Sequence, residues 1–188
     1  PLWTPEAEET VFETISLHVP HSLLPGRMEL SREKVASIAT YLGETDKGCI
    51  VVGPRCYSQH FAETEFATAV ANLGAALGWP VIAEPASGVR FAGEYQAVIS
   101  MADGILRSPA MVECFEPEFI LRFGKFPTSK AIGKWLATHS EVETIYVSES
   151  PRIQDPLRNI QTSLLASPTQ FCEDIVASLD SGRGASLW

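Results

Sequence analysis

A doubly wound parallel α/β sheet of five or six strands, with helices on both faces, is the fold class this sequence predicts. Three observations point to it. Short apolar runs of strand length recur five times, interleaved with stretches of helical periodicity. These runs are apolar at nearly every position instead of alternating, as in strands covered on both faces. The 188 residues, 45% of them hydrophobic, suffice for one domain with a sizeable core.

Residues 1–30 read as a linker arm, with Pro1, Pro5, Pro20 and Pro25 and an acidic block from Glu6 to Glu9. Val11 to Leu17 has partial strand character but alternates poorly. Ser31 is a helix N-cap, and Val35, Ile38, Ala39 and Leu42 follow at helical spacing, with Gly43 as the stop. Gly48 to Gly53 is a glycine-bounded apolar run and reads as a central strand. Pro54 to Ser58 is a loop before a long helix, Gln59 to Leu77, with Phe66, Val70, Leu73 and Leu77 on one face. Pro80 to Glu84 is the second strand and Ser87 to Arg90 a loop. Glu94 to Met101 is expected to be helical. Ser108 to Pro117 leads to the third strand, Phe119 to Phe123, which ends at Gly124. Thr128 is expected to cap a helix reaching Thr138. Thr144 to Ser148 and Ser163 to Ala166 complete the strands. Ser167, with Pro168 at the first helical position, opens a last helix to Leu179. The domain is expected to cover 31–180, and the tail 181–188, which carries no pattern, is expected to fray.

Right-handed crossovers put all carboxyl ends of such strands on one edge, where this class of fold binds ligands. The loops that matter are therefore Gly53–Ser58, Pro85–Gly93, Gly124–Lys130 and Ser148–Asp155.

The net charge of −9, with no basic cluster, argues against nucleic-acid and anionic-membrane partners. No apolar run approaches the roughly 20 residues of a bilayer span. Pro1 to Ser16 is acidic where a signal peptide would begin basic, so a cytoplasmic protein is expected. The absent initiator Met suggests an excised domain. Cys49, Cys56, Cys114 and Cys172 form no CxxC pair and read as buried, reduced thiols. His18, His21, His60 and His139 are not clustered, and no metal site is expected in this chain.

For chemistry, Val52-Gly53-Pro54-Arg55 replaces the GxGxxG loop of a Rossmann dinucleotide site with one glycine and a proline that lacks a donor. The fold thus reads as nucleotide-binding in type, with its site empty or repurposed. Thr128 as cap and Lys130 in the first helical turn would join a cation to the helix's positive end, a trap for a carboxylate or phosphate. Arg90, Arg107 and Arg122 lie on or near the same edge, and each can hold a carboxylate or form a salt bridge. Glu63, Glu65, Asp103 and Glu113 show no spacing of a catalytic carboxylate pair. Ser148 and Ser150 read as loop residues. An anion-binding edge without acid, base or nucleophile suits a binding or scaffold domain better than a complete enzyme.

Four segments together carry a family resemblance: Val51-Val52-Gly53-Pro54-Arg55-Cys56-Tyr57, Leu77 to Arg90, Arg122 to Lys130, and Trp135-Leu136. Their order and spacing resemble the central domain of the MenD family, the thiamine-diphosphate-dependent 2-succinyl-5-enolpyruvyl-6-hydroxy-3-cyclohexene-1-carboxylate synthases of menaquinone and phylloquinone biosynthesis. The resemblance implies a three-domain, oligomeric enzyme that decarboxylates 2-oxoglutarate and adds the succinyl unit to isochorismate. It implies that thiamine diphosphate and Mg²⁺ or Mn²⁺ are bound by the other domains of the polypeptide. It implies a fold that carries FAD or an ADP-type ligand in relatives and has lost it here. One residue carries over: Lys130 matches the family's lysine that helps hold a substrate carboxylate. A second basic residue follows it in several relatives, where this chain has Ala131. On this reading the isolated chain catalyses nothing. The alternatives are a stand-alone FAD- or ADP-binding module and a subunit-assembly domain.

Overall fold

The computed structural model describes residues 28–54, 63–91, 96–179 and 188. Six strands form one sheet: β1 (Gly48–Val52), β2 (Val81–Ala83), β3 (Val98–Ile99), β4 (Phe119–Phe123), β5 (Glu143–Ser148) and β6 (Thr162–Leu165). Their spatial order is β3-β2-β1-β4-β5-β6, and every pairing is parallel. The helices are α1 (Arg32–Glu44), α2 (Glu63–Leu77), α3 (Ala102–Ile105), α4 (Pro109–Cys114), α5 (Lys130–Thr138) and α6 (Pro168–Ser178). Two 3-10 turns, Pro85–Ser87 and Val89–Phe91, follow β2.

The period of two in a strand divides the core between the two faces of the sheet. Ile50, Val52, Val81, Ala83, Phe119, Leu121 and Phe123 pack with the buried sides of α1, α2 and α6. Cys49, Val51, Ile82 and Ile120 face the opposite way, toward Ala102, Ile132, Trp135 and Leu136 on α3 and α5. β1 and β4 are buried at every position, which is why they lack alternation in the sequence.

Several boundaries differ from expectation, α1 for instance running past Gly43 to Glu44. Val98 and Ile99 lie in a two-residue strand instead of the helix expected over Glu94–Met101. They pair with Val81 and Ile82, where two β-branched side chains extend the sheet beside β2. The helix cap after β4 is Ser129, whose hydroxyl accepts from the Ile132 N–H at 3.2 Å, so the cap falls one residue after Thr128. The approach to β4 contains α4, with Pro109 in its first turn. At α1, the Ser31 hydroxyl accepts from the Lys34 N–H, as its position implies.

Among the cysteines, Cys49 and Cys172 are buried, but Cys114 is exposed on α4, contrary to the expectation of burial. Burial raises the Cys49 thiol above its ordinary range. Cys56, His18, His21 and His60 lie outside the described residues. His139 closes α5, its Nδ1 2.8 Å from the Trp135 carbonyl oxygen. Trp188, expected in a fraying tail, stacks on Phe115 at 4.7 Å and donates its indole N–H to the Gly48 carbonyl at 2.9 Å.

Candidate functional site

The strand order reverses between β1 and β4, and the crevice above that point is where a doubly wound sheet binds ligands. Here the chain's own β4–α5 turn lies across it. A Cβ on Gly53 would stand 1.8 Å from the Lys125 carbonyl oxygen, so only glycine lets the turn approach. Gly124, at φ 74°, starts the turn in the left-handed region. The Gly53 N–H donates to the Phe123 carbonyl at 2.9 Å, and the Lys125 N–H to the Pro54 carbonyl at 2.8 Å.

Glu84, the residue after β2, closes the crevice from the other side. It is 1% exposed. Its Oε1 accepts from the Thr128 N–H at 2.6 Å, from the Ser129 N–H at 3.1 Å and from the Thr128 hydroxyl. Its Oε2 is buried and has no partner among the described residues. Asp103 of α3 reinforces the same turn, accepting from the Ser129 hydroxyl. It also accepts from Arg107 Nε at 2.9 Å. The Ser129 hydrogen bond, and then Arg107, hold the Asp103 carboxyl below the usual carboxylate range.

Of the donors expected to attract an anion at Thr128–Lys130, the amides of Thr128 and Ser129 are taken by a carboxylate of this chain, that of Glu84. Lys130 stands exposed at the first position of α5.

The three arginines part company. Arg107 is an exposed surface partner of Asp103. Arg90 is half-buried, and its Nε–H donates to the Ala83 carbonyl at 2.7 Å, while Nη2 is buried without a partner among the described residues. Arg122 is 1% exposed, not on the ligand surface at all. Its guanidinium lies 3.5 Å from Asp155 and 5.3 and 5.9 Å from the ring centres of Phe126 and Tyr146. Burial lowers its pKa and Asp155 opposes the shift. Asp155 also accepts from the Ile160 N–H at 2.9 Å, so Arg122 ties the 149–161 loop to the sheet.

The remaining candidates supply no acid–base pair. Glu65 and Glu113 are exposed on α2 and α4. The Glu63 side chain lies outside the described residues. Ser148 and Ser150 hydroxyls accept from the Ser150 and Arg152 N–H groups within one loop. Glu84 is the residue that sequence reasoning missed. Its signal was an acid at the end of a buried strand, facing the edge where a helix begins. A buried carboxylate needs donors, and a helix N-terminus has spare ones.

With this geometry in hand, comparison with known proteins places the chain. A family model described as "Middle domain of thiamine pyrophosphate" matches residues 30–182. The chain belongs to this middle-domain family of thiamine pyrophosphate enzymes. Curated relatives bear the name 2-succinyl-5-enolpyruvyl-6-hydroxy-3-cyclohexene-1-carboxylate synthase. The protein from Oceanobacillus iheyensis is 28% identical over 89% of this chain and 28% of its own length. That from Geobacillus kaustophilus is 28% identical over 98% of this chain and 31% of its own length. That from Acaryochloris marina is 32% identical over 75% and 25%. The chain thus spans about a third or less of the relatives it matches. An X-ray structure from Mycobacterium smegmatis, assigned as a thiamin diphosphate-dependent enzyme, superposes with a TM-score of 0.50. It is 12% identical over 85% of this chain and 30% of that one, a likeness of fold.

Among the described residues no group of three His, Cys, Asp or Glu side chains is placed to hold a metal ion. The carboxylates at the sheet edge, Glu84, Asp103 and Asp155, are each engaged with the chain's own donors. No helix among the described residues is long and apolar enough to cross a membrane.

Proposed function

We propose that this middle domain serves a carboligase that decarboxylates 2-oxoglutarate and adds the resulting succinyl unit to isochorismate. Residues 1–30 would be its linker arm, 31–180 the domain and 181–188 the tail, in a cytoplasmic homo-oligomer of menaquinone or phylloquinone biosynthesis. Its partners are the other domains of the same polypeptide, which would hold thiamine diphosphate and Mg²⁺ or Mn²⁺. The cofactor, when bound there, supplies the means of turning an acyl carbon into a nucleophile. This chain's part is to line the substrate site.

The observation that carries this reading is Lys130. The donors beside it in the turn are taken by Glu84 and Asp103, yet it stands exposed on the edge where this fold presents ligands. Both substrates carry carboxylates. A cation fixed at a helix start can hold one of them and orient it beside the reacting centre. The curated relatives that match up to 98% of this chain supply the name of the reaction.

The test is a product assay. The complete protein, given 2-oxoglutarate, isochorismate, thiamine diphosphate and Mg²⁺, should release CO₂ and form the synthase product, while residues 1–188 alone should form none. Release of CO₂ without any adduct to isochorismate would overturn the reading. The rival FAD- or ADP-binding module is weighed by thermal shift. The crevice closed by Lys125 and Glu84 predicts no stabilisation of this chain by either nucleotide.

A further inference from the structure

We infer that Glu84 is a positioning residue, an internal anion that sets where Lys130 presents its ammonium group and that bars other anions from the Thr128 and Ser129 amides. The inference rests on the reading of Lys130 given above and deepens it.

Glu84 is fixed before it fixes anything else. Its N–H donates to the Val52 carbonyl at 3.0 Å, tying it to the central strand β1. Its carbonyl accepts from the Ser87 N–H at 3.0 Å and from the Ser87 hydroxyl at 2.6 Å. The backbone is therefore clamped on both sides, and the carboxylate projects from the rigid middle of the sheet.

The turn it meets is tied to the sheet at Lys125, whose N–H donates to the Pro54 carbonyl, but among the described residues no backbone–backbone bond holds it from Phe126 to Thr128. Between Phe123 and Lys130 the chain passes through Gly124, with φ 74°, and Pro127, which has no N–H to give. Three of the donors there converge on one oxygen of Glu84. The last of these, the Ser129 amide, is one peptide bond from Lys130. The other tie on Ser129 is its hydroxyl to Asp103, from a separate helix. Removal of Glu84 would leave the backbone start of α5 free to shift and with it the base of the Lys130 side chain.

Charge gives the second half of the inference. The positive end of α5 and Lys130 together would attract any small anion. Glu84 takes the two amides nearest the sheet and balances that end of the helix. A substrate carboxylate must then be met by Lys130 Nζ, not by the amides of Thr128 and Ser129, which Glu84 already holds. The buried Oε2 of Glu84, without a partner among the described residues, adds to this exclusion, since a second carboxylate beside it would be repelled.

A double-mutant cycle in the complete protein tests this. Steady-state kinetics for both substrates would be measured for Lys130→Ala, Glu84→Ala, Glu84→Gln and the two combinations with Lys130→Ala. Glu84→Ala should raise about tenfold the same KM that Lys130→Ala raises, with kcat within about twofold. Glu84→Gln, which keeps an acceptor oxygen, should raise it about threefold. Neither should add more than about twofold in the Lys130→Ala background, because a side chain that is gone cannot be mispositioned. If Glu84→Ala does not fold, Glu84→Gln carries the same cycle. Unchanged KM in the Glu84 variants beside an altered Lys130→Ala overturns this inference alone, as do effects that multiply in the double variants. An unchanged Lys130→Ala overturns the Lys130 reading and this inference with it.

Discussion

Glu84 and Arg122 stand at the carboxyl half of neighbouring parts of one sheet, each 1% exposed, and each ties a ligand-edge loop to the core. They are held in different ways. Among the described residues Glu84 has no counter-ion: two peptide donors of the β4–α5 turn, at 2.6 and 3.1 Å, and the Thr128 hydroxyl solvate its carboxylate. Arg122 has a counter-ion, but the contact with Asp155 is long, at 3.5 Å, and two ring faces share the cation. The acid's tie runs to backbone, so it fixes the path of the chain. The base's tie runs to side chains, so it fixes a loop by one contact. The first arrangement suits a turn that must present one residue accurately, and the second suits a loop that must only stay docked.

This contrast can be broken by mutation. The largest effect is expected for Arg122→Ala. It leaves Asp155, whose side chain is 9% exposed, without its cation, at a cost of about 3–5 kcal/mol in denaturant unfolding. A loss below about 1 kcal/mol would mean that Asp155 simply turns to solvent. Glu84→Ala should cost about 2–3 kcal/mol, since the donors it abandons sit partly at the surface and regain water. A Glu84→Ala variant as costly as Arg122→Ala would erase the distinction between the two ties.

Acid sharpens the comparison further. Asp103 titrates below its ordinary value because Ser129 and Arg107 hydrogen-bond its charged form. A depressed carboxyl contributes stability that is complete above the unfolded value of about 3.9 and is lost as pH falls through the lower folded value. The stability gap between the native chain and Asp103→Asn should therefore be constant from about pH 5 to 7 and narrow below about pH 4. Thermal midpoints across that range check this, and a gap independent of pH would show that the charge of Asp103 is idle. The smallest effect is expected for Lys130→Ala, within about 0.5 kcal/mol, because the side chain is exposed.

Much of the fold was legible because burial on both faces leaves its mark in composition. Gly48–Val52 and Phe119–Phe123 are apolar throughout except for Arg122, and both are central strands. Val98–Ile99 was not legible, since two residues carry no period and their pairing with β2 is a long-range fact. At the site, the helix start near Lys130 and its pull on anions could be read from Pro127, Thr128 and Ser129. That Glu84 would fill it could not, because nothing local links a residue after β2 to a turn 44 positions later. Arg122 misled for a related reason. An arginine in a strand looks like a ligand at the edge, yet β-sheet parity turns it toward Phe126 and Tyr146.

The proposed contribution of this domain to catalysis is the exposed cation of Lys130, held on a turn whose Thr128 and Ser129 amides Glu84 engages. Its most direct test is the substrate saturation of the complete protein carrying Lys130→Ala. On the proposed function, KM for 2-oxoglutarate or isochorismate rises about tenfold, equivalent to about 1.4 kcal/mol, while kcat stays within about twofold. Unchanged KM for both substrates would contradict it.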